Sequence, residues 1–408
     1  MQNFNAEEAL ANVRREFGEH GGVAPSISRS STFTVMEPGT MPKIFEGIKG
    51  PYSGGCYLYS RHFNPTVNIL NRYLSAMEGS EAALSTASGM SAISCTLLQI
   101  CKAGDHIISS NTIYGGTHAL FGELFSEMGI KCTFVDPTKI SEFEQAITPE
   151  TKAIFTESIA NPTLKVTDIP TLGALSKKYN LTLVVDNTFT PMIISPIQLG
   201  ADIVVYSMTK FINGASDLIA GAICAKEDFI NNLMDLHTGR VMLMGPTIDP
   251  RTAFDLIQRI PHLGLRMKEH SRRALVIAEH LYKIGISVCY PGLPAHSQYD
   301  LITSMINKEY GYSGLITIDC ITKEKANRLI SILQNEERFG LIAVSLGYFD
   351  TLMSCSGSTT SSEISEVEQA EMGLSPGLLR LSIGITGLLE NRVKQISRAV
   401  KTVLLDNQ

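Results

Sequence analysis

The 408-residue sequence lacks the features that mark a membrane, nucleic-acid or disulfide-stabilised protein. No apolar run approaches the roughly 18 residues needed to span a bilayer. The first stretch, MQNFNAEEALANVRREFGEHGG, carries charges throughout and has no apolar core of signal-peptide type. Eight cysteines, at positions 56, 95, 101, 132, 224, 289, 320 and 355, include no CxxC pair. In so long a chain this dispersion argues for free or buried thiols in a reducing compartment, not for a disulfide framework or a zinc site, and the expected location is cytoplasmic. The net charge is -6 and lysine and arginine are scattered, so no basic stripe marks a nucleic-acid surface. Internal repeats and low-complexity tracts are also missing. These exclusions leave a small-molecule site as the expectation.

What is present has an ordinary globular balance, 44% apolar and 18% charged residues, in a chain too long for one minimal core. Residues 6–18 have helical spacing. The segment from Gly21 to about Ser60 is rich in Gly, Pro, Ser and Thr with little periodicity, and so long an irregular stretch suggests an arm that packs against a partner. From about Asn64 helical patterns alternate with short apolar runs: AALSTA (82–87), HIISS (106–110), KCTFVD (131–136), AIFTES (153–158), LTLVVDN (181–187), DIVVYS (202–207) and GAICA (221–225). Such alternation predicts an α/β fold with a mostly parallel central sheet covered on both faces. After about Pro250 the texture changes to long helical patterns, SGLITIDC, KEKANRLISILQN and LLRLSIGI, which predict a smaller α+β unit. The expected division is an arm over 1–63, an α/β domain over 64–258 and a C-terminal domain over 259–408.

Three short stretches carry chemistry. In VVYSMTKFINGASD an apolar strand ends in Ser207, Met208, Thr209 and Lys210. Ligands of open α/β sheets lie beyond the carboxyl ends of strands, so a lysine there beside two hydroxyls suits a Schiff-base lysine whose neighbours bind phosphate. Taken alone it also fits a helix cap beside a solvated lysine. In VVDNTF, Asp186 ends a second apolar strand; a carboxylate there could hold a protonated pyridine nitrogen or merely cap a turn. In STASGMSAI, Ser88 and Gly89 stand between a strand and a helix, where backbone N–H groups favour a phosphate; a tight strand–helix turn is the plain alternative. Together, in the order phosphate turn, aspartate, lysine, the three match a fold-type I pyridoxal-phosphate (PLP) enzyme.

YSRHFNPT (59–66), SGMSAI, ESIANPT (157–163), VVDNTF and SMTKFINGASD resemble the Cys/Met-metabolism (γ-family) PLP enzymes over essentially the whole chain. Within that family the sequence most resembles the plant-type methionine γ-lyase branch, through REFGEHGG (15–22), TFTVMEP (32–38), YGGTHAL (114–120), RIPHLGLRMKEHS (259–271) and SLGYFDTLMSCSGSTTSSE (345–363). The resemblance implies an aspartate-aminotransferase-like fold and α,γ-elimination of L-methionine in sulfur amino acid catabolism. It implies that Lys210 carries the cofactor and moves protons, Asp186 holds the ring nitrogen, and Tyr114 stacks on the ring and serves as acid/base near the sulfur. Gly89, Met90, Ser207 and Thr209 would cradle the phosphate, with Tyr59 and Arg61 reaching in from a neighbouring subunit. Asn161 would lie near the ring hydroxyl, and Arg380, helped by Ser345, would clamp the substrate carboxylate. A homotetramer built as a dimer of dimers is implied as well.

Plain readings stand beside several of these. Arg61 suits a surface arginine, Tyr59 a packing aromatic and Met90 a core residue offering its backbone N–H. His62 and His118 read as satisfied polar residues. Arg380 lies in an apolar strand, where an unpaired guanidinium is costly, so a bound carboxylate partner is expected. The sequence departs from the bacterial and protozoan methionine γ-lyases at Gly116, where they carry a reactive cysteine, and at Arg240-Val241, where they carry lysine-aspartate. Val344 stands where cystathionine enzymes of the family typically carry glutamate, and Tyr206 where many relatives have histidine. Cystathionine γ-lyase and O-acylhomoserine sulfhydrylase are the alternatives within the family; a transaminase or a non-catalytic PLP-binding protein are alternatives of other kinds.

Overall fold

The computed structural model describes residues 4–13, 16–51, 53, 55–355 and 375–405. Positions 1–3, 14, 15, 52, 54 and 356–363 of the stretches read above lie outside the described residues. Seven strands form the larger sheet: β1 (Ala82–Thr86), β2 (His106–Ser110), β3 (Lys131–Val135), β4 (Thr151–Glu157), β5 (Thr182–Asp186), β6 (Ile203–Ser207) and β7 (Gly221–Ala225). Their order is β1-β7-β6-β5-β4-β2-β3, and only β7 runs antiparallel to its neighbours. The mostly parallel sheet expected from the apolar runs is present, with strand ends within two residues of those expected.

Alternation along the strands sends side chains into two cores. Leu183, Val185, Ile154 and Val204 pack on one face, while Val184, Ala153, Phe155 and Val205 pack on the other. This period of two requires both faces to be covered, and helices do so. The helix Pro65–Glu78 starts where Asn64 accepts from Thr66 N and Val67 N, and it stops at left-handed Gly79. The helix Gly89–Ile100 starts from a capping box between Ser88 and Ser91.

A second, five-stranded sheet comprises β8 (Val288–Cys289), β9 (Leu315–Asp319), β10 (Leu341–Ile342), β11 (Leu352–Cys355) and β12 (Leu378–Ser382), in the order β10-β11-β12-β9-β8. A third buried cluster joins it to the helices Leu263–Lys283, Lys323–Asn335 and Leu389–Val400. Among the described residues no helix is long and apolar enough to cross a membrane.

Two expectations about the N-terminal region need correction. Among the described residues of 6–18 the helical spacing yields only Ala6–Ala11, because Asn12 turns its amide onto Glu8 and closes the helix. The segment read as wholly irregular contains a short helix, Thr40–Phe45, and Thr32 bridges to Tyr59.

Candidate active site

Parallel strands bring their carboxyl ends to one edge, and register does the rest. Glu157 of β4 pairs with Asp186 of β5, and Asp186 with Val205 of β6, two residues before Ser207. Beyond this edge lies a cavity of about 240 Å³ lined by Ser88, Gly89, Met90, Tyr114, Glu157, Asn161, Asp186, Thr188, Ser207, Thr209 and Lys210. Apolar contacts from Ile93, Ile159, Phe189, Ile219 and Leu346 complete its wall. The phosphate turn, the aspartate and the lysine, far apart in sequence, therefore meet in one place.

The side formed by Gly89 and Ser207 is built by close approach. A Cβ on Gly89 would lie 2.7 Å from Ser207 Cβ, so only glycine lets the first turn of the helix Gly89–Ile100 press against β6. Ser207 N donates to Thr188 Oγ1 at 2.7 Å, and Thr209 Oγ1 accepts from Ala220 N at 3.1 Å. Hydroxyls and a helix N-terminus thus face the same volume, the arrangement that favours a dianion.

Asp186 is buried and accepts from Thr188 N at 2.9 Å; burial pushes its carboxyl upward. Lys210 Nζ donates to Ser345 Oγ at 2.8 Å. Burial, and then the Arg380 charge, lowers the Lys210 amine to about 8. A larger share of neutral, nucleophilic amine follows.

Arg380 of β12 is 1% exposed. Its Nη2 donates to Ser345 O at 2.6 Å and its Nη1 to Asn161 Oδ1 at 3.1 Å, while Nε is buried with no partner among the described residues. Burial lowers this guanidinium to about 10. No ion pair to it occurs among the described residues, where both of its acceptors are neutral. A guanidinium so placed suits a carboxylate ligand. Ser345 and Arg380 stand behind Lys210 and Asn161 in this way without lining the cavity themselves.

Tyr59 and Arg61 are not brought to the cavity by their own chain. Tyr59 is 48% exposed. Arg61 Nη1 donates to Met242 O at 2.6 Å, and its guanidinium lies 5.8 Å from the Tyr59 ring centroid. Arg240 Nε donates to Leu98 O, and Val344 is exposed; neither lines the cavity. His118 stacks on Phe134, and His62 packs against Phe63. Glu157 and Thr188 line the cavity but were not singled out by the sequence. Glu157 ends an apolar strand just as Asp186 does, and that position was the available signal.

A profile of the Cys/Met metabolism PLP-dependent enzymes matches residues 8–397. The chain belongs to this family. The methionine gamma-lyase of Arabidopsis thaliana is 52% identical over 393 residues, covering 96% of this chain and 89% of that protein. Human cystathionine gamma-lyase is 35% identical over 384 residues, covering 93% of this chain and 89% of its own. Among solved structures, a putative O-acetylhomoserine (thiol)-lyase from Campylobacter jejuni superposes with a TM-score of 0.89 at 25% identity, covering 98% of this chain and 100% of that one. That protein's crystal structure contains N'-pyridoxyl-lysine-5'-monophosphate.

The family's cofactor fits the residues found here. PLP brings an aldehyde, a phosphate and a ring nitrogen, and the cavity offers an amine with raised neutral content, a helix N-terminus with hydroxyls, and a buried carboxyl. The orphaned Arg380 Nε adds donor capacity for the amino acid that the family's chemistry requires.

Proposed function

We propose that this member of the family catalyses α,γ-elimination of L-methionine, consuming one water and giving methanethiol, 2-oxobutanoate and ammonia. The observation that carries the reading is the line Lys210–Ser345–Arg380: an acid/base amine hydrogen-bonds the very residue whose carbonyl holds a guanidinium with charge to spare. An α-amino acid satisfies both ends at once, and the apolar wall of Ile93, Ile159, Phe189, Ile219 and Leu346 favours an uncharged side chain. The 52% identity to a methionine gamma-lyase supports the choice of a short thioether.

Bound PLP supplies the electron sink that acidifies the hydrogens of Cα and, after it, Cβ. Lys210 would hold the cofactor in the resting protein and, once freed by the substrate amine, would move protons among Cα, C4′ and Cβ, returning to the neutral amine before it takes the Cβ proton. Arg380 fixes the substrate carboxylate through its planar fork and so orients the Cα–H bond toward Lys210. Asp186 would keep a positive charge on the ring nitrogen. Gly89, Met90, Ser207 and Thr209 would hold the phosphate, and Asn161 would serve the ring hydroxyl. Tyr114 gives a proton to the departing sulfur, because methanethiolate is a poor leaving group without one. Tyr59 and Arg61 serve the site of a neighbouring subunit in a tetramer of two dimers, with 1–63 as arm, 64–258 as cofactor domain and 259–408 as C-terminal domain. Eight cysteines with no disulfide among the described residues suit a cytoplasmic setting.

Purified protein loaded with PLP should release methanethiol from methionine, and Lys210→Ala should not. Rapid turnover of cystathionine, or of O-acetylhomoserine with sulfide, without methanethiol from methionine would refute this reading in favour of a sister activity. Transfer of the amino group to an added oxo-acid with no thiol would indicate a transaminase, and cofactor binding without keto-acid release a non-catalytic protein.

A further inference from the structure

Among the titratable side chains lining the cavity, the proposed chemistry leaves Glu157 without a task. It is buried, and its two carboxyl oxygens face two different backbone segments. Oε1 accepts from Tyr114 N at 2.8 Å, where the chain leaving β2 turns into the helix Gly115–Ala119. Oε2 accepts from Asn161 N at 3.2 Å, in the turn that follows β4. Asp186 stands beside it in register on β5.

We propose that Glu157 is a positioning residue: one buried carboxyl that fastens the backbone carrying Tyr114 to the backbone carrying Asn161 and so holds both against the cavity. The hold extends further than these two residues. Asn161 Oδ1 accepts from Arg380 Nη1, Arg380 Nη2 donates to Ser345 O, and Ser345 Oγ accepts from Lys210 Nζ. Glu157 stands at one end of a continuous set of hydrogen bonds and the lysine at the other. Its grip on Tyr114 is the direct one, since the tyrosine ring is otherwise half exposed. A glutamine of the same size cannot replace it, because one of its two terminal atoms would turn an N–H donor toward a backbone N–H.

This inference rests on the proposed reading only for the task of Tyr114, and its test separates the two. Holoenzymes of wild type, Glu157→Gln and Glu157→Ala are compared for cofactor content, unfolding midpoint, kcat and KM for methionine, and exchange of the methionine Cα hydrogen in D2O followed by NMR. Cofactor content should hold in Glu157→Gln while kcat per bound cofactor falls about tenfold, and about a hundredfold in Glu157→Ala, with KM within about twofold, as misplacement of reacting groups dictates. In a Tyr114→Phe background the Glu157→Gln effect on kcat should shrink below about threefold, because the two changes cut the same path. A purely structural role would lower cofactor content and unfolding midpoint together and leave kcat per bound cofactor unchanged; that result, or full additivity with Tyr114→Phe, overturns the proposal. Should Glu157→Ala fail to assemble, Glu157→Gln alone carries the comparison. Should methionine release no thiol, the exchange rates still decide about Glu157, and the missing thiol counts against the methionine reading alone.

Discussion

Arg380→Lys keeps a cation on β12 and removes the fork, so it isolates what the guanidinium geometry contributes. Arginine reaches Ser345 O and Asn161 Oδ1 with separate nitrogens and has Nε left over. A lysine ammonium offers one nitrogen for all three directions. Losing one charge-assisted hydrogen bond to the substrate carboxylate costs about 1.5–3 kcal/mol. At about 1.4 kcal/mol per decade, kcat/KM for methionine should fall about 10- to 150-fold. Cofactor content should not change, because the phosphate side is built by other residues. Arg380→Met tests the electrostatic half of the argument. The Arg380 charge, after burial, is a cause of the Lys210 amine lying near 8. At pH 8 such an amine is half neutral, against about 0.3% for an ordinary lysine. Removing the charge should raise the pH at which apo-protein captures PLP, measured by borohydride trapping across a pH series with the label mapped to Lys210. A kcat/KM for Arg380→Lys within threefold of wild type, or a capture profile in Arg380→Met that does not move, would refute the reasoning.

Two further outcomes follow from local packing. A Cβ at position 116 would come within 2.6 Å of Tyr114 Cε1, and the ring, half exposed, is free to swing away. Gly116→Ala should therefore leave stability nearly unchanged and lower kcat about tenfold through a misplaced phenol, read by steady-state kinetics beside the unfolding midpoint. His270 is buried, bonds Ile383 O through Nδ1 and has no partner for Nε2 among the described residues, and burial lowers it from 6.5 to about 4. Because the folded value lies below the unfolded one, the neutral ring contributes stability above pH 6.5 that is lost as pH falls toward 4, at up to about 1.4 kcal/mol per unit. His270→Gln, which can still donate to Ile383 O, should flatten the denaturant midpoint in that window.

What the sequence disclosed depended on whether a feature is local. The seven strands were legible because each is a short apolar run bounded by turn residues, and Lys210 and Asp186 because each ends such a run. Ser88 and Gly89 were legible as a strand–helix turn offering backbone N–H groups, since they are small residues between an apolar run and a helical pattern; the Ser88–Ser91 capping box was not. Glu157 was not legible as a site residue, although it stands in an equivalent place, because its importance comes from the β4–β5 register that sets it beside Asp186 and from two amides distant in the chain. The fork of Arg380 was expected to take a bound carboxylate; that its acceptors among the described residues are neutral is what only the fold could disclose. Strands of two residues, β8 and β10, leave too little pattern to read.

Tyr59 and Arg61 pose the question of how many chains make one site. Within its own chain Arg61 is turned onto Met242 O, away from the cavity, while the PLP family chemistry proposed here gives it a phosphate to hold. If it acts in a neighbour, two inactive variants should repair each other. In a mixed dimer of Lys210→Ala and Arg61→Ala, one site combines both defects, and the other has an intact lysine from one chain and an intact arginine from the other. Random reassembly makes half the dimers mixed, so activity should return to about a quarter of wild type, since each two-fold dimer has two equivalent sites. If Arg61 acts in its own chain, both sites of every mixed dimer carry one lesion and nothing returns. Arg61→Ala must first be shown to lose cofactor or turnover by itself; full activity in that variant would remove the arginine from the site altogether.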